Sequence, residues 1–249
     1  MRIGTLEKTF RIIDILGEHP QGLRLSEMGR ILGLPDSSVH HILSSLRSEF
    51  YVDQDQDTKR YYLGFKFLSI SSKILQNLDI RRIAFPHLRQ LHQRVNETVN
   101  LTILHNGQVT FIDKIQRLGG LSLDTYLGFR TDPHAAASGK VLLAGLSRRE
   151  VEDIYQNRPL KSYGQNTITS LSKLMAELKQ VKDHGYAVDD EEYYVGIRCV
   201  AAPIKSRSQT VAAVSVTGSI TTMTMKRIKH EIIEQVRDTA QRISREMPE

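Results

Sequence analysis

The chain has 249 residues, 40% of them hydrophobic and 25% charged, with a formal net charge of +6 and one cysteine. That length holds one large domain or two smaller ones, each with a real core. No apolar run reaches the ~18–20 residues of a membrane span, the N-terminus has no signal-peptide pattern, and a lone cysteine excludes an internal disulfide, which suits a reducing cytoplasm.

In chain order, residues 1–64 read as three helices and a hairpin. "TLEKTFRIIDILGE" spaces Leu6, Phe10, Ile13 and Leu16 as a helix does, with Gly17 near its end. In "LRLSEMGRILGLPDSSVHHILSSL", Ser26 is a candidate N-cap for a short helix carrying Met28, Ile31 and Leu32. Gly33, Leu34 and Pro35 break that helix. A further helix restarts at Asp36 or Ser37 and turns Val39, Ile42, Leu43 and Leu46 inward. Helix, short Gly-containing turn, helix is a helix-turn-helix layout. "FYVDQDQDTKRYYLGF" then places two β-prone stretches around a polar turn, as a wing does. Residues 65–79 are expected to form a linker helix.

Residues 80–249 read as a second domain. It opens with a helix, "IRRIAFPHLRQLHQRVNET", interrupted at Pro86. "VNLTILHNGQVTFIDKI" is two strands around Asn106-Gly107, a strong hairpin signal. A strand "LSLDTYL" is expected next, then a helix in "DPHAAASGKVLLAGL" and helices around 147–156 and 170–184. Strands near 186–189, 197–205 and 210–217 precede a closing helix over 222–245. The fold class is α+β, with helices on the faces of a sheet.

The second helix of a helix-turn-helix enters the major groove. Here Ser37, Ser38, His40, His41, Ser44 and Arg47 lie off its apolar face, where they can contact bases or phosphates; Ser37 and Ser38 can also serve as plain caps. Lys59 and Arg60 sit in the wing turn, within reach of a phosphate. Charge adds little to this reading: residues 1–78 carry ten Lys and Arg against nine Asp and Glu, so the basic excess lies mainly in the second part.

Cys199 allows three readings. A nucleophile needs a base and an electropositive surround, whereas four carboxylates, Asp189 to Glu192, precede this one. A metal site with His134 and Asp189 would lack any short-range ligand pair. No metal or cofactor is expected. The wall of a pocket explains more. "HAAASGK" puts small residues in a helix's first turn, where free N–H groups and the dipole favour an anion. Ser215 and Thr217, two apart on a strand, share a face, and Asp189 and Cys199 add an acceptor and a weak donor. Glu191 and Glu192 read as a solvated turn.

Three motifs in order, "PHAAASGKVLLAGL", "HGYAVDDEEYYVGIRCVAAPI" and "VAAVSVTG", stand behind "LSEMGRILGLPDSSVHHILSSL" and "TKRYYLGFKFL". Over almost its full length the chain resembles IclR-type bacterial transcription regulators. The resemblance implies a winged helix-turn-helix domain, a linker helix and a GAF/PAS-like α/β effector domain. It also implies homodimers or dimers of dimers on a double-stranded operator, and a small organic acid that alters DNA binding. It carries effector contacts onto the amides of Ala137 and Ser138 and onto Asp189, Cys199, Ser215 and Thr217, with Leu121, Leu123 and Phe129 as apolar walls. Asp36 stands where the family commonly has lysine, His41 where it has arginine, and Glu49 where it has glycine. The competing readings are a small-acid hydrolase or isomerase, which lacks a recognisable nucleophile–base or metal motif, and a scaffold that senses nothing.

Overall fold

The computed structural model describes residues 4–119 and 125–248. The chain divides into two compact units, one ending at Asn77 and the other beginning at Leu78.

The N-terminal unit holds α1 (Thr5–Glu18), α2 (Leu25–Leu32), α3 (Asp36–Ser48), the antiparallel pair β1 (Val52–Gln54) and β2 (Tyr61–Leu63), and α4 (Lys66–Gln76). Its core joins Ile12, Ile15 and Leu16 of α1 with Met28, Val39, Ile42, Leu43, Leu46, Val52 and Tyr61. All four inward residues expected for α3 are buried. The apolar face of α1 is not the one its spacing suggested: Leu6 and Phe10 are exposed, because only the C-terminal half of the helix meets the core. Nor does Ser26 cap α2. The N-cap is Arg24, whose N–H is taken by the Glu27 carboxylate at 2.7 Å, so the helix starts one residue before Ser26. Gly33 ends α2 in the left-handed region, which glycine adopts at no steric cost. The segment expected as a linker is α4; it groups with the N-terminal unit and buries none of its residues.

The C-terminal unit begins with α5 (Asp79–Val95), which runs through Pro86 rather than breaking there. Next come β3 (Thr98–His105), β4 (Gln108–Ile115), β5 (Arg130–Thr131), a 3-10 turn at Pro133–Ala135, α6 (Ala137–Ala144), α7 (Arg148–Tyr155) and α8 (Leu171–His184). It closes with β6 (Ala187–Asp190), β7 (Ile197–Ser206), β8 (Gln209–Ser219), α9 (Met225–Arg227), a π-helical turn Ile228–Ile232 and α10 (Ile233–Glu246). Asn106 and Gly107 both take positive φ, as a two-residue hairpin turn requires. Of the strand expected over 121–127, residues 121–124 lie outside the described residues and 125–127 are not strand.

Among the described residues the sheet has six strands in the order β5-β4-β3-β8-β7-β6, every neighbouring pair antiparallel. Alternation along each strand divides its side chains between two faces. Val99, Leu101, Val200, Ala202, Ile204, Ala212, Val214 and Val216 meet the apolar faces of α5 and α10. The buried apolar residues of the closing helix fall at 228, 232, 236, 240 and 243. Steps of four exceed the 3.6-residue turn, and the wider π turn absorbs part of that drift. The other sheet face carries Ala201 and Ala213 against Ala137, Val141 and Leu142 of α6. That face holds the site.

Candidate functional site

In the N-terminal unit, Ser37, His40, His41, Ser44 and Arg47 are exposed on α3, and Ser38 is half-buried. Positions 37, 40, 41, 44 and 47 fall on one side of a helix, so the face is continuous. Arg47 reaches the wing, where its Nη1 donates to Gln54 Oε1 at 3.0 Å. The wing turn is built by Asp55, whose Oδ1 accepts the Thr58 N–H at 2.7 Å and the Thr58 hydroxyl at 2.8 Å. Lys59 is exposed with a positive φ. Arg60 is not free in the same way. Its Nη1 donates to the Gly22 carbonyl at 2.6 Å and lies 3.4 Å from Glu27, tying the wing to α2.

In the C-terminal unit the register brings distant residues into rows. Asp189 pairs with Cys199, Cys199 with Thr217, and Thr217 with Thr98. The next row on the same face is Ala187, Ala201, Ser215 and Asn100. Directly paired residues point to the same side of a sheet, so these polar groups form one patch. α6 covers it with its N-terminal end. Among the described residues no side chain caps that end, and Ala137, Ser138 and Gly139 form its first turn. Gly139 has a steric reason: a Cβ there would overlap the backbone of Pro133, which crosses the helix closely. The break at Ala136, in extended conformation, separates this helix from the turn at Pro133–Ala135, so the single helix expected from Asp132 onward is two pieces.

Between patch and helix lies a cavity of about 560 Å³, counting the part open to solvent. Ala137, Ser138, Asp189, Cys199, Ser215, Thr217 and Phe129 line it, with Asn100, Phe111 and Thr131. Leu121 and Leu123 lie outside the described residues. Among the described residues the lining contains no Lys, Arg or His.

Hydrogen bonds run across the patch. Asn100 Nδ2 donates to Thr217 Oγ1 at 3.2 Å, and the Thr217 hydroxyl donates to Cys199 Sγ at 3.2 Å. The Glu192 N–H donates to Asp189 Oδ1 at 2.8 Å. Burial pushes the Asp189 carboxyl up to about 6, against the pull of backbone N–H groups and of the Lys140 cation. Burial and the Asp189 charge together drive the Cys199 thiol well above its usual range, so it is a neutral thiol and a poor nucleophile. His134, weighed above as a metal partner for this pair, is fully buried with Nε2 2.9 Å from the Lys161 carbonyl.

The comparisons identify the chain. The profile described as "Bacterial transcriptional regulator IclR C-terminal" matches residues 72–245, and "IclR helix-turn-helix domain" matches residues 5–56. The chain belongs to the IclR family. A curated relative, the HTH-type transcriptional regulator XynR of Escherichia coli, is 32% identical over 86% of this chain and 85% of its own. The crystal structure of the Thermotoga maritima IclR is 32% identical, covers 97% of both chains and superposes with a TM-score of 0.83. An IclR homologue from Microbacterium hydrocarbonoxydans, described as complexed with 4-hydroxybenzoate, shares the fold at a TM-score of 0.83 and 23% identity, over 97% of this chain and 98% of its own.

As an IclR-family member the chain is a DNA-binding transcriptional regulator, and the family relatives are regulators rather than enzymes. No helix among the described residues is long and apolar enough to cross a membrane. Two polar residues at this candidate site escaped sequence reasoning. Asn100 lies in a strand otherwise read as apolar, and only the β3–β8 register shows that it sits beside Ser215. The second is Lys140, 1% exposed, whose Nζ donates to Glu192 Oε1 at 2.6 Å, to the Val188 carbonyl at 2.6 Å and to Glu177 Oε1 at 3.3 Å. Glu192 is therefore not part of a solvated turn. It is 6% exposed, and burial raises its carboxyl. Lys140 thus pins the segment after β6 to α6 and holds the Glu192 N–H on Asp189.

Proposed function

We propose that this regulator's affinity for its operator is set by a small organic acid bound in the C-terminal cavity. The observation that carries the reading is the buried row Asp189, Cys199, Thr217, continued by Ser215 and Asn100, facing an uncapped helix N-terminus. A polar patch inside an apolar domain costs stability unless a ligand repays it. The anion's place is at the amides of Ala137 and Ser138, where unpaired N–H groups and the helix dipole favour it, with the Ser215 hydroxyl as a further donor. Phe111 and Phe129 supply apolar wall. The homologue described with 4-hydroxybenzoate supports an acid of this size on this fold. On the DNA side, Ser37, Ser38, His40, His41, Ser44 and Arg47 make the groove contacts and Lys59 a phosphate contact. Arg60 braces the wing. A symmetric dimer, or a dimer of dimers, reads paired half-sites.

The test is calorimetry and thermal shift with a panel of small carboxylates, with and without operator DNA. Binding raises stability by mass action, and a true effector has different affinities for free and operator-bound protein. Ser215→Ala weakens binding by ~0.5–1.5 kcal/mol. Cys199→Ser binds better than Cys199→Leu, since a cavity wall accepts a small polar group but not added bulk. If no acid shifts the wild-type melting temperature, the effector reading fails.

A further inference from the structure

The cavity's hydrogen-bond directions can be fixed by following protons outward from Asp189. An ionised carboxylate can only accept. The Cys199 thiol, paired directly with Asp189 across β6 and β7, keeps its proton, because burial and the Asp189 charge hold it well above its usual range. Cys199 Sγ in turn accepts the Thr217 hydroxyl proton at 3.2 Å. With its one proton used, Thr217 Oγ1 can only accept from Asn100, which must present its amide NH₂ at 3.2 Å. The NH₂ also lies 3.5 Å from Ser215 Oγ. These bonds assign the orientation of the amide. It leaves Asn100 Oδ1 on the other side.

That oxygen is buried and has no hydrogen-bond partner among the described residues. Asn100 as a whole is 3% exposed and lines the cavity. Thr131 Oγ1, from β5 on the same cavity, is likewise buried without a partner, and Thr131 is 5% exposed. An unpaired buried acceptor is costly to leave unmade. The α6 amides and the Ser215 hydroxyl suit a single carboxylate. Asn100 Oδ1 asks for the opposite partner, a donor on the same ligand.

We infer that Asn100 is a specificity residue, and that the site selects a monocarboxylic acid carrying a hydroxyl group over the corresponding keto or unsubstituted acid. A ketone or a methylene offers Asn100 Oδ1 no proton. A hydroxyl pairs it directly. Asp189, already approached by protein donors, shapes the network rather than binding the hydroxyl itself. This inference rests on the effector reading above.

The experiment uses the full chain and acids that differ only at the hydroxyl: lactate against pyruvate and against propanoate, and 4-hydroxybenzoate against benzoate. Isothermal calorimetry gives each affinity for wild type, Asn100→Leu and Ser215→Ala. In at least one pair the hydroxy acid is expected to bind wild type about tenfold more tightly or better. In Asn100→Leu that ratio falls toward one. Ser215→Ala weakens both members and keeps the ratio. Equal wild-type affinities, a preference for the keto acid, or a ratio unchanged in Asn100→Leu overturns the inference while leaving the effector reading standing. If no acid of any pair binds wild type, the effector reading falls and the inference with it. The wild-type comparison needs no variant, so a poorly folded Asn100→Leu does not decide the outcome.

Discussion

In the N-terminal unit the polar groups assigned to DNA stand on the solvent side of one helix. His40, His41, Ser44 and Arg47 come from eight consecutive positions, and the core behind them is wholly apolar apart from the Tyr61 hydroxyl. In the C-terminal unit the polar groups are inside. Asn100, Asp189, Cys199, Ser215 and Thr217 come from four strands and are brought together only by register. The difference follows from what each surface meets. Phosphates and base edges are reached from outside, so side chains there can stay hydrated until DNA arrives. A small anion must be enclosed to be told from its relatives, so its contacts are desolvated in advance, at a cost in stability. The exposed surface should therefore tolerate substitution with little effect on folding, and the enclosed one should not.

The strongest way to break this comparison is Lys140→Met. It leaves Glu192 buried beside no cation, with Oε2 already lacking a partner among the described residues. Removing one member of a buried ion pair costs about 3–5 kcal/mol. Denaturant unfolding should show the C-terminal unit lose that much while the N-terminal transition stays in place. A loss below about 1 kcal/mol would contradict the role given to Lys140.

The pH dependence of stability should separate the units next. The folded Asp189 carboxyl is raised to about 6 by burial. A raised acid binds its proton more tightly in the folded state than in the unfolded one. Its contribution therefore makes stability fall as pH rises from about 4 to about 6, and it is constant above that window. Asp189→Asn removes the dependence. Relative to wild type, the variant should gain on the order of 2 kcal/mol between pH 4 and pH 7. Parallel curves for the two proteins would show that Asp189 does not titrate as described.

On the exposed side, His41→Ala combined with Arg47→Ala should weaken operator binding by ~1–3 kcal/mol in gel-shift titrations. Folding and effector affinity should stay as in wild type. The smallest effects distinguish the two wing cations. Lys59→Ala should lower the salt slope of operator affinity by about one. Arg60→Ala should instead cost the N-terminal unit ~0.5–1.5 kcal/mol of stability, since its guanidinium is spent on Gly22 and Glu27. If Arg60→Ala changed the salt slope as Lys59→Ala does, both would be DNA contacts.

The sequence by itself determined most of the element plan. The inward residues of α3, the Asn106-Gly107 hairpin and the run of strands after α8 all follow from periodicity and turn chemistry, which act within a few residues. It also placed small residues in the first turns of a helix, though it set the start at Asp132-Pro133 rather than at Ala137, and it placed Ser215 and Thr217 on one face of a strand. Tertiary structure alone decided the rest. Which face of α1 is buried depends on what packs against it, so Leu6 and Phe10 look like core and are exposed. Glu192 looks like a solvated carboxylate and is buried, because the cation that partners it is 52 positions away at Lys140. Asn100 is placed beside Ser215 and Thr217, 115 and 117 positions on, by the pairing of β3 with β8. Periodicity assigns a residue to a face of its own element, and only strand order and register decide which residues share that face.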